Sequence, residues 1–183
     1  VAFDAKARVW LISTLSLAGP TTRLTINRSV DGLRWSPAID AATAIAPSGI
    51  AFDKNWLACD NGSASPFRGS CYLAYTDALR GDRIAVVTSR DGGVTWSQPV
   101  GVAVTNAVGA FPVIRPNGDL VVVYLFGRRM GSAVSVDGGT SFGPTSTIAE
   151  VSEEEARGLR FFTLPSADVD PTGRVWATWH DCR

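Results

Sequence analysis

The sequence predicts an all-β chain: about three and a half four-stranded antiparallel blades of a β-propeller. Three observations carry that expectation. A Ser-x-Asp-Gly turn closed by an aromatic recurs at Ser29-Val30-Asp31-Gly32 with Trp35, Ser89-Arg90-Asp91-Gly92-Gly93 with Trp96, and Ser135-Val136-Asp137-Gly138-Gly139 with Phe142. The three aspartates stand 60 and 46 positions apart, the length of one four-stranded blade with some loop variation. Between the turns, β-rich runs follow one another in a constant order, and no helix of any length is signalled.

The first repeat opens with Val1–Asp4, turns through Ala5–Arg8, returns as Val9–Leu15, and reaches its turn through Arg23–Asn27. The second uses Trp56–Asp60, Cys71–Tyr75 and Arg83–Thr88; the third uses Phe111–Ile114, Leu120–Leu125 and Ala133–Val134. A fourth starts in the same way, with Ala167–Val169, the turn Asp170-Pro171-Thr172-Gly173, and Arg174–Trp179. Blade limits near 1–40, 41–101, 102–150 and 151–183 follow, all within one domain. From second-strand anchor to turn aspartate the intervals are 22, 19 and 16, so a fourth such aspartate is expected near 191 to 197, past Arg183. The fourth blade is therefore expected to be incomplete. Since known propellers close with roughly four to eight blades, the chain is expected to be a segment of a longer propeller, or else to need further copies over its open edges.

The turn has a plain physical logic. A short carboxylate accepts hydrogen bonds from backbone N–H groups ahead of it, glycine supplies positive φ, and the aromatic fills the layer between strands. Recurrence argues that Asp31, Asp91 and Asp137, with Gly32, Gly93 and Gly139, are structural rather than catalytic.

The chain has 183 residues, 45% of them hydrophobic, enough for one soluble domain with a real core. Lys+Arg and Asp+Glu both number 17, so no net field attracts nucleic acid or anionic membrane, and no apolar run approaches a membrane span. The only methionine is Met130, which leads to the expectation of a mature form or a fragment. Pairing Trp56–Cys59 antiparallel with Cys71–Ala74 opposes Leu57 to Leu73 and Cys59 to Cys71, at a separation that suits a disulfide. Such a bond implies an oxidising compartment, and the alternative is two reduced thiols packed as small apolar groups. Cys182 is left over, so its partner is expected outside the chain.

The repeated turns resemble the Asp-box, or bacterial neuraminidase repeat, of the sialidase-like β-propellers. Phe52-Asp53-Lys54-Asn55-Trp56-Leu57-Ala58-Cys59-Asp60 likewise resembles an Asp-Lys-x-Trp-Leu-Ala-x-Asp element of secreted sialidase-like proteins. The resemblance implies about six blades in the whole propeller, secretion, and an exo-glycosidase of the exo-α-sialidase kind. It places an active site near the axis on the face opposite the Asp-boxes. That face is expected to carry Asp53 and Lys54 just ahead of a strand, Asp77 and Arg80, Arg128 and Arg129, the stretch 153–160, and Asp181 and Arg183.

Each candidate has two readings. Asp53 and Lys54 meet a polar ligand or form a solvated charge pair. Arg128 and Arg129 grip a carboxylate or are surface residues. The Glu153–Glu155 run offers an acid/base group or is a solvated face. His180 is the sole histidine, and no positioned serine accompanies it. No metal-ligand spacing, phosphate loop or nucleotide fingerprint appears, so no metal or cofactor is expected.

For a retaining sialidase the resemblance further implies an arginine cluster, a tyrosine nucleophile with a glutamate, and an aspartic acid/base. The early Arg-Ile-Pro element is absent, and Tyr72, Tyr75 and Tyr124 all fall in second strands. Two expectations follow: an exo-glycosidase whose essential residues lie largely outside this chain, or a non-catalytic propeller that binds carbohydrate, such as a sialylated glycan, or protein at its axial face.

Overall fold

The computed structural model describes residues 1–47, 49–102, 105–152, 158 and 163–182. The Glu153–Glu155 run and Arg183 lie outside the described residues. The first sheet is β1 (Ala2–Asp4), β2 (Val9–Ala18), β3 (Thr21–Ser29) and β4 (Ile39–Ile45), paired in that order. The second is β5 (Phe52–Cys59), β6 (Cys71–Asp77), β7 (Arg83–Ser89) and β8 (Val100–Gly101). The third is β9 (Ala107–Ile114), β10 (Leu120–Phe126), β11 (Arg129–Ser135) and β12 (Ser146–Glu150); β13 (Ser166–Val169) and β14 (Val175–Thr178) form a hairpin. All pairing is antiparallel. The first strands β1, β5, β9 and β13 pack one against the next. This is the radial meander of consecutive propeller blades, three complete and half of a fourth.

One boundary differs from the sequence expectation. The first sheet runs on to Ile45, past the limit near 40, because Ile39-Asp40-Ala41-Ala42-Thr43-Ala44-Ile45 is a strand too rich in alanine to advertise itself. Among the described residues the only helical segment is a short 3-10 turn, Ala78–Arg80.

Three apolar layers hold the sheets together. Leu11, Leu24 and Ile26 of the first sheet pack on Leu57, Leu73, Tyr75 and Val87 of the second. Tyr72, Ile84 and Val86 continue onto Leu120, Val122 and Tyr124 of the third. Val121, Val123, Leu125 and Met130 meet Val175 and Trp179. Strands β6 and β10 are therefore buried on both sides, which is why they read as unbroken apolar runs rather than as alternation. Each fully buried leucine or valine in these layers contributes roughly 1.5–3 kcal/mol. Cys59 and Cys71 lie directly opposite each other in β5 and β6 and form a disulfide with Cα atoms 4.0 Å apart. Cys182 is an exposed free thiol.

The repeated turns share one hydrogen-bond scheme. In the second, Asp91 Oδ1 accepts from the N–H groups of Val94 and Thr95 and from the Ser89 hydroxyl. In the third, Asp137 Oδ1 accepts from Thr140 and Ser141 N–H and from the Ser135 hydroxyl. In the first, Asp31 Oδ1 accepts from Leu33 and Arg34 N–H and from Ser29. The following glycines take positive φ, +74° at Gly32, +83° at Gly93 and +81° at Gly139.

The second and third turns lean on the blade before them. A Cβ on Gly93 would meet Leu11 of the first sheet at 2.8 Å, and one on Gly139 would meet Thr88 of the second at 2.7 Å. Arginines of the earlier blade reach across: Arg28 Nε donates to the Gly92 carbonyl at 2.7 Å, and Arg90 Nη2 to the Gly138 carbonyl at 3.1 Å. In the adjacent hairpin turns Arg115 Nε donates to the Gly173 carbonyl at 2.8 Å. Trp96 packs against the first apolar layer and Phe142 against the second, the layers that join their blades to the ones before.

These bonds lower the pKa of the turn carboxylates. Asp137 is drawn down to about 2, first by the Ser141 hydroxyl and then by the Ser141 N–H. At Asp91 burial pulls upward, but the Thr95 hydroxyl and N–H outweigh it; at Asp31 the Arg34 and Leu33 N–H groups dominate. Between an unfolded value of about 4 and these lower folded values the unfolded chain binds more protons. Their contribution is thus complete above about pH 4 and is lost as pH falls through the folded values. Asp137→Asn should therefore be less stable than the parent at pH 7, with the gap closing as pH falls from about 4 to about 2. Urea unfolding at several pH values measures it; a gap independent of pH contradicts the assignment.

Candidate functional site

Propeller topology divides the loops between two faces. The Ser-x-Asp-Gly turns and the hairpin turns at 4–8, 60–70, 115–119 and 170–174 lie together on one face, joined by the arginine contacts above and by Ala5 N–H and Phe3 O, both bonded to the Asn61 side-chain amide. The opposite face carries the blade-to-blade connections and the ends of the inner strands. There a cavity of 430 Å³ opens where β5 and β9 run beside the segment leading into β13. Its walls include Asp53, Lys54, Trp56, Phe111, Leu164 and Pro165.

The residues at this cavity are set by a backbone irregularity. Asp53 pairs with Thr76 and Trp56 with Ala74, so Lys54 and Asn55 together oppose the single residue Tyr75. In the third sheet Val108 pairs with Leu125 and Phe111 with Val123, so Gly109 and Ala110 together oppose Tyr124. The same bulge therefore occurs in the inner strands of two successive blades, each opposite a buried tyrosine. Its first residue is left-handed in both, with φ of +76° at Gly109 and +52° at Lys54. Glycine adopts this conformation without steric cost, whereas lysine does not. At Gly109 the space is also closed, since a Cβ would approach Leu164 Cδ2 to 2.6 Å.

Asp53 and Lys54 are thus not ahead of the strand, as the sequence suggested, but inside β5 at its bulge. The run Phe52–Cys59 pairs with β6 on both sides of the irregularity, which extends the strand outward past the bulge. Asp53 Oδ1 accepts from Lys54 N–H at 2.8 Å, and Asp53 Oδ2 lies 3.3 Å from Lys54 Nζ. Both side chains are partly shielded from solvent. Asn55, also at the cavity, donates its Nδ2 to the Ser13 hydroxyl of the first sheet. Trp56 is 50% exposed and stacks against Phe111 with ring centroids 4.5 Å apart. Phe111 also lines a second axial cavity, of 670 Å³, on the face of the repeated turns. The aromatic pair stands between the two.

The other candidates lie apart from this cavity. Arg128 falls in the β10–β11 connection and Arg129 opens β11, where its Nε pairs with Glu150 Oε1 of β12 at 2.8 Å. Arg80 pairs with the buried Asp77 at 3.2 Å. Asp181 Oδ1 accepts from Ser152 N–H, and His180 Nε2 lies 3.0 Å from the Thr163 hydroxyl, so both residues tie the end of the described chain to the connection before β13. Tyr72, Tyr75 and Tyr124 are completely buried between sheets, and burial raises the pKa of all three hydroxyls. Among the described residues no three His, Cys, Asp or Glu side chains converge as a metal site, and no helix is long and apolar enough to cross a membrane.

Sequence reasoning missed Trp56 and Phe111 as site residues, since each reads as an ordinary strand aromatic. The available signal was the parallel between Lys54-Asn55-Trp56 and Gly109-Ala110-Phe111, which emerges once the second and third blades are aligned on their inner strands.

No protein-family model and no curated protein sequence matches the chain. Solved structures do. A protein of unknown function from Dyadobacter fermentans DSM 18053 is similar at 23% identity with a TM-score of 0.57, over 91% of this chain and 47% of that one. An α-L-arabinanase from Penicillium chrysogenum, complexed with arabinobiose, is similar at 15% identity with a TM-score of 0.62, over 93% of this chain and 53% of the other. An intramolecular trans-sialidase from Ruminococcus gnavus, in complex with oseltamivir carboxylate, is similar at 17% identity with a TM-score of 0.56, over 78% and 35%. The chain spans about half the length of the first two and about a third of the last. At these identities the likeness is one of fold, and it supports the partial propeller.

The bulge makes a prediction of its own. Lys54→Gly relieves left-handed strain that Lys54→Ala keeps, so the glycine variant should be the more stable of the two by about 1 kcal/mol. Urea midpoints decide it, and an alanine variant equal to or more stable than the glycine one contradicts the strain.

Proposed function

We propose that this chain forms part of a sialidase-like, Asp-box propeller whose axial face binds glycan, within a secreted glycan-processing protein of the exo-glycosidase kind. The observation that carries the reading is the axial cavity. It joins a half-exposed tryptophan to an acid and a base on a strained bulge. Strain held at a position where the neighbouring blade uses glycine points to a side chain kept for what it contacts. A flat indole suits the apolar face of a sugar ring, while Asp53 and Lys54 supply an acceptor and a donor for its hydroxyls. Sugar-handling propellers among the similar structures support the ligand class. The shared hydrogen-bond scheme of the three turns supports the Asp-box assignment, and the Cys59–Cys71 disulfide supports secretion.

A binding role without catalysis by this segment is the second reading, and two observations favour it. Glycoside hydrolysis ordinarily employs a pair of carboxylates about 5–9.5 Å apart across the scissile bond. Asp53 is the one carboxylate among the described residues lining the cavity. A sialidase instead uses a tyrosine nucleophile, and each tyrosine here is enclosed between sheets.

The 183-residue chain should therefore show sugar-dependent signal on a glycan array, lost in Trp56→Ala, and no release of fluorophore from sialoside or arabinofuranoside substrates. Array binding unaffected by Trp56→Ala, or no sugar-dependent signal at all, contradicts the binding site. Turnover by the chain alone contradicts the division of labour.

A further inference from the structure

We propose that the axial cavity selects an uncharged sugar over a carboxylated one, and that Asp53 sets this selectivity by neutralising Lys54. The inference rests on the reading of this cavity as a glycan site and concerns which class of sugar it takes.

The charge inventory of the cavity is short. Among its described lining residues only Asp53 and Lys54 carry charge, and they cancel. Their side chains are 3.3 Å apart, and the bulge fixes them side by side, because Asp53 Oδ1 also holds the Lys54 N–H. The remaining walls are uncharged, with the apolar Trp56, Phe111, Leu164 and Pro165 beside the polar Asn55 and Ser166. A ligand carboxylate placed here loses hydration and meets a cation already paired with a nearer anion, so little net attraction offsets the loss. Among the described residues the arginines that could grip a carboxylate bidentately are elsewhere: Arg129 is paired with Glu150, Arg80 with Asp77, and no described arginine lines the cavity.

A neutral ring fares differently. Its apolar face covers the open side of Trp56, whose other side rests on Phe111. Lys54 Nζ has three N–H donors and spends one on Asp53, and the Asp53 oxygens retain lone pairs, so adjacent ring hydroxyls find both a donor and an acceptor. The ion pair thus acts as a fixed dipole suited to hydroxyl groups rather than as a point charge.

Saturation-transfer NMR titrations of the chain with arabinobiose and with N-acetylneuraminic acid, on the parent and on Asp53→Asn, test this. The parent should bind arabinobiose about tenfold more tightly than the acid. Asp53→Asn keeps the size and an oxygen that can accept from Lys54 N–H but leaves Lys54 unneutralised, so the acid should gain about tenfold and the preference should close or reverse. Trp56→Phe should retain arabinobiose binding and Trp56→Ala should lose it. A parent that prefers the acid, or an Asp53→Asn variant with an unchanged preference, overturns the selectivity while leaving the glycan site in place. Failure of both sugars to bind the folded parent overturns the site and the selectivity together.

Discussion

A single aspartate oxygen accepting two backbone N–H groups and a serine hydroxyl is the interaction on which this structure depends. Asp91 and Asp137 each do this with their Oδ1 atoms, and each spends the second oxygen on a hydroxyl, that of Thr95 or Ser141. The clamp closes the link between the third and fourth strands of a blade. It also forces the glycines into positive φ and aims their carbonyls outward at the preceding blade. Arg28 and Arg90 then find those carbonyls. The turn is therefore both a local closure and the seat by which one blade rests on another, and the apolar layers fill the space that this seating defines.

Registration on the turn face leaves freedom on the opposite face. The inner strands β5 and β9 arrive there already aligned, and each has room for one extra residue opposite a buried tyrosine. In the third blade the extra residue is glycine, covered by Leu164. In the second it is Lys54, on the wall of the axial cavity and bound to Asp53. The same backbone device serves packing in one blade and presentation of a charged side chain in the next. Function is thus placed on a rigid scaffold by a change of side chain at a repeated irregularity.

Much of the fold was legible because the turns state themselves. Asp-Gly with a preceding serine and a following aromatic has a mechanism that survives without any alignment, and the apolar runs of β6 and β10 are unambiguous. Strand register opposed Cys59 to Cys71 and so favoured the bond that the two form. The alanine-rich β4 was not legible, because small residues pack in the slit between blades without a β-branched signature. The site was less legible still. Asp53 and Lys54 could be named, but their partnership with Trp56 and Phe111 depends on a bulge, and a bulge changes which residues face one another without leaving a mark in composition. The arginine-to-carbonyl contacts were missed because their acceptors are backbone atoms, which no sequence pattern displays.

Amide hydrogen exchange on Asp91→Ala tests the seating role most directly. If the turn holds one blade on another, protection should fall at Val94 and Thr95 and also across β2 and β3 of the preceding sheet, where Leu11, Ile26 and Arg28 meet the second turn. Loss confined to residues 91–96, with the first sheet protected as before, would show that the carboxylate closes only its own turn and that the blades are held by their apolar layers alone.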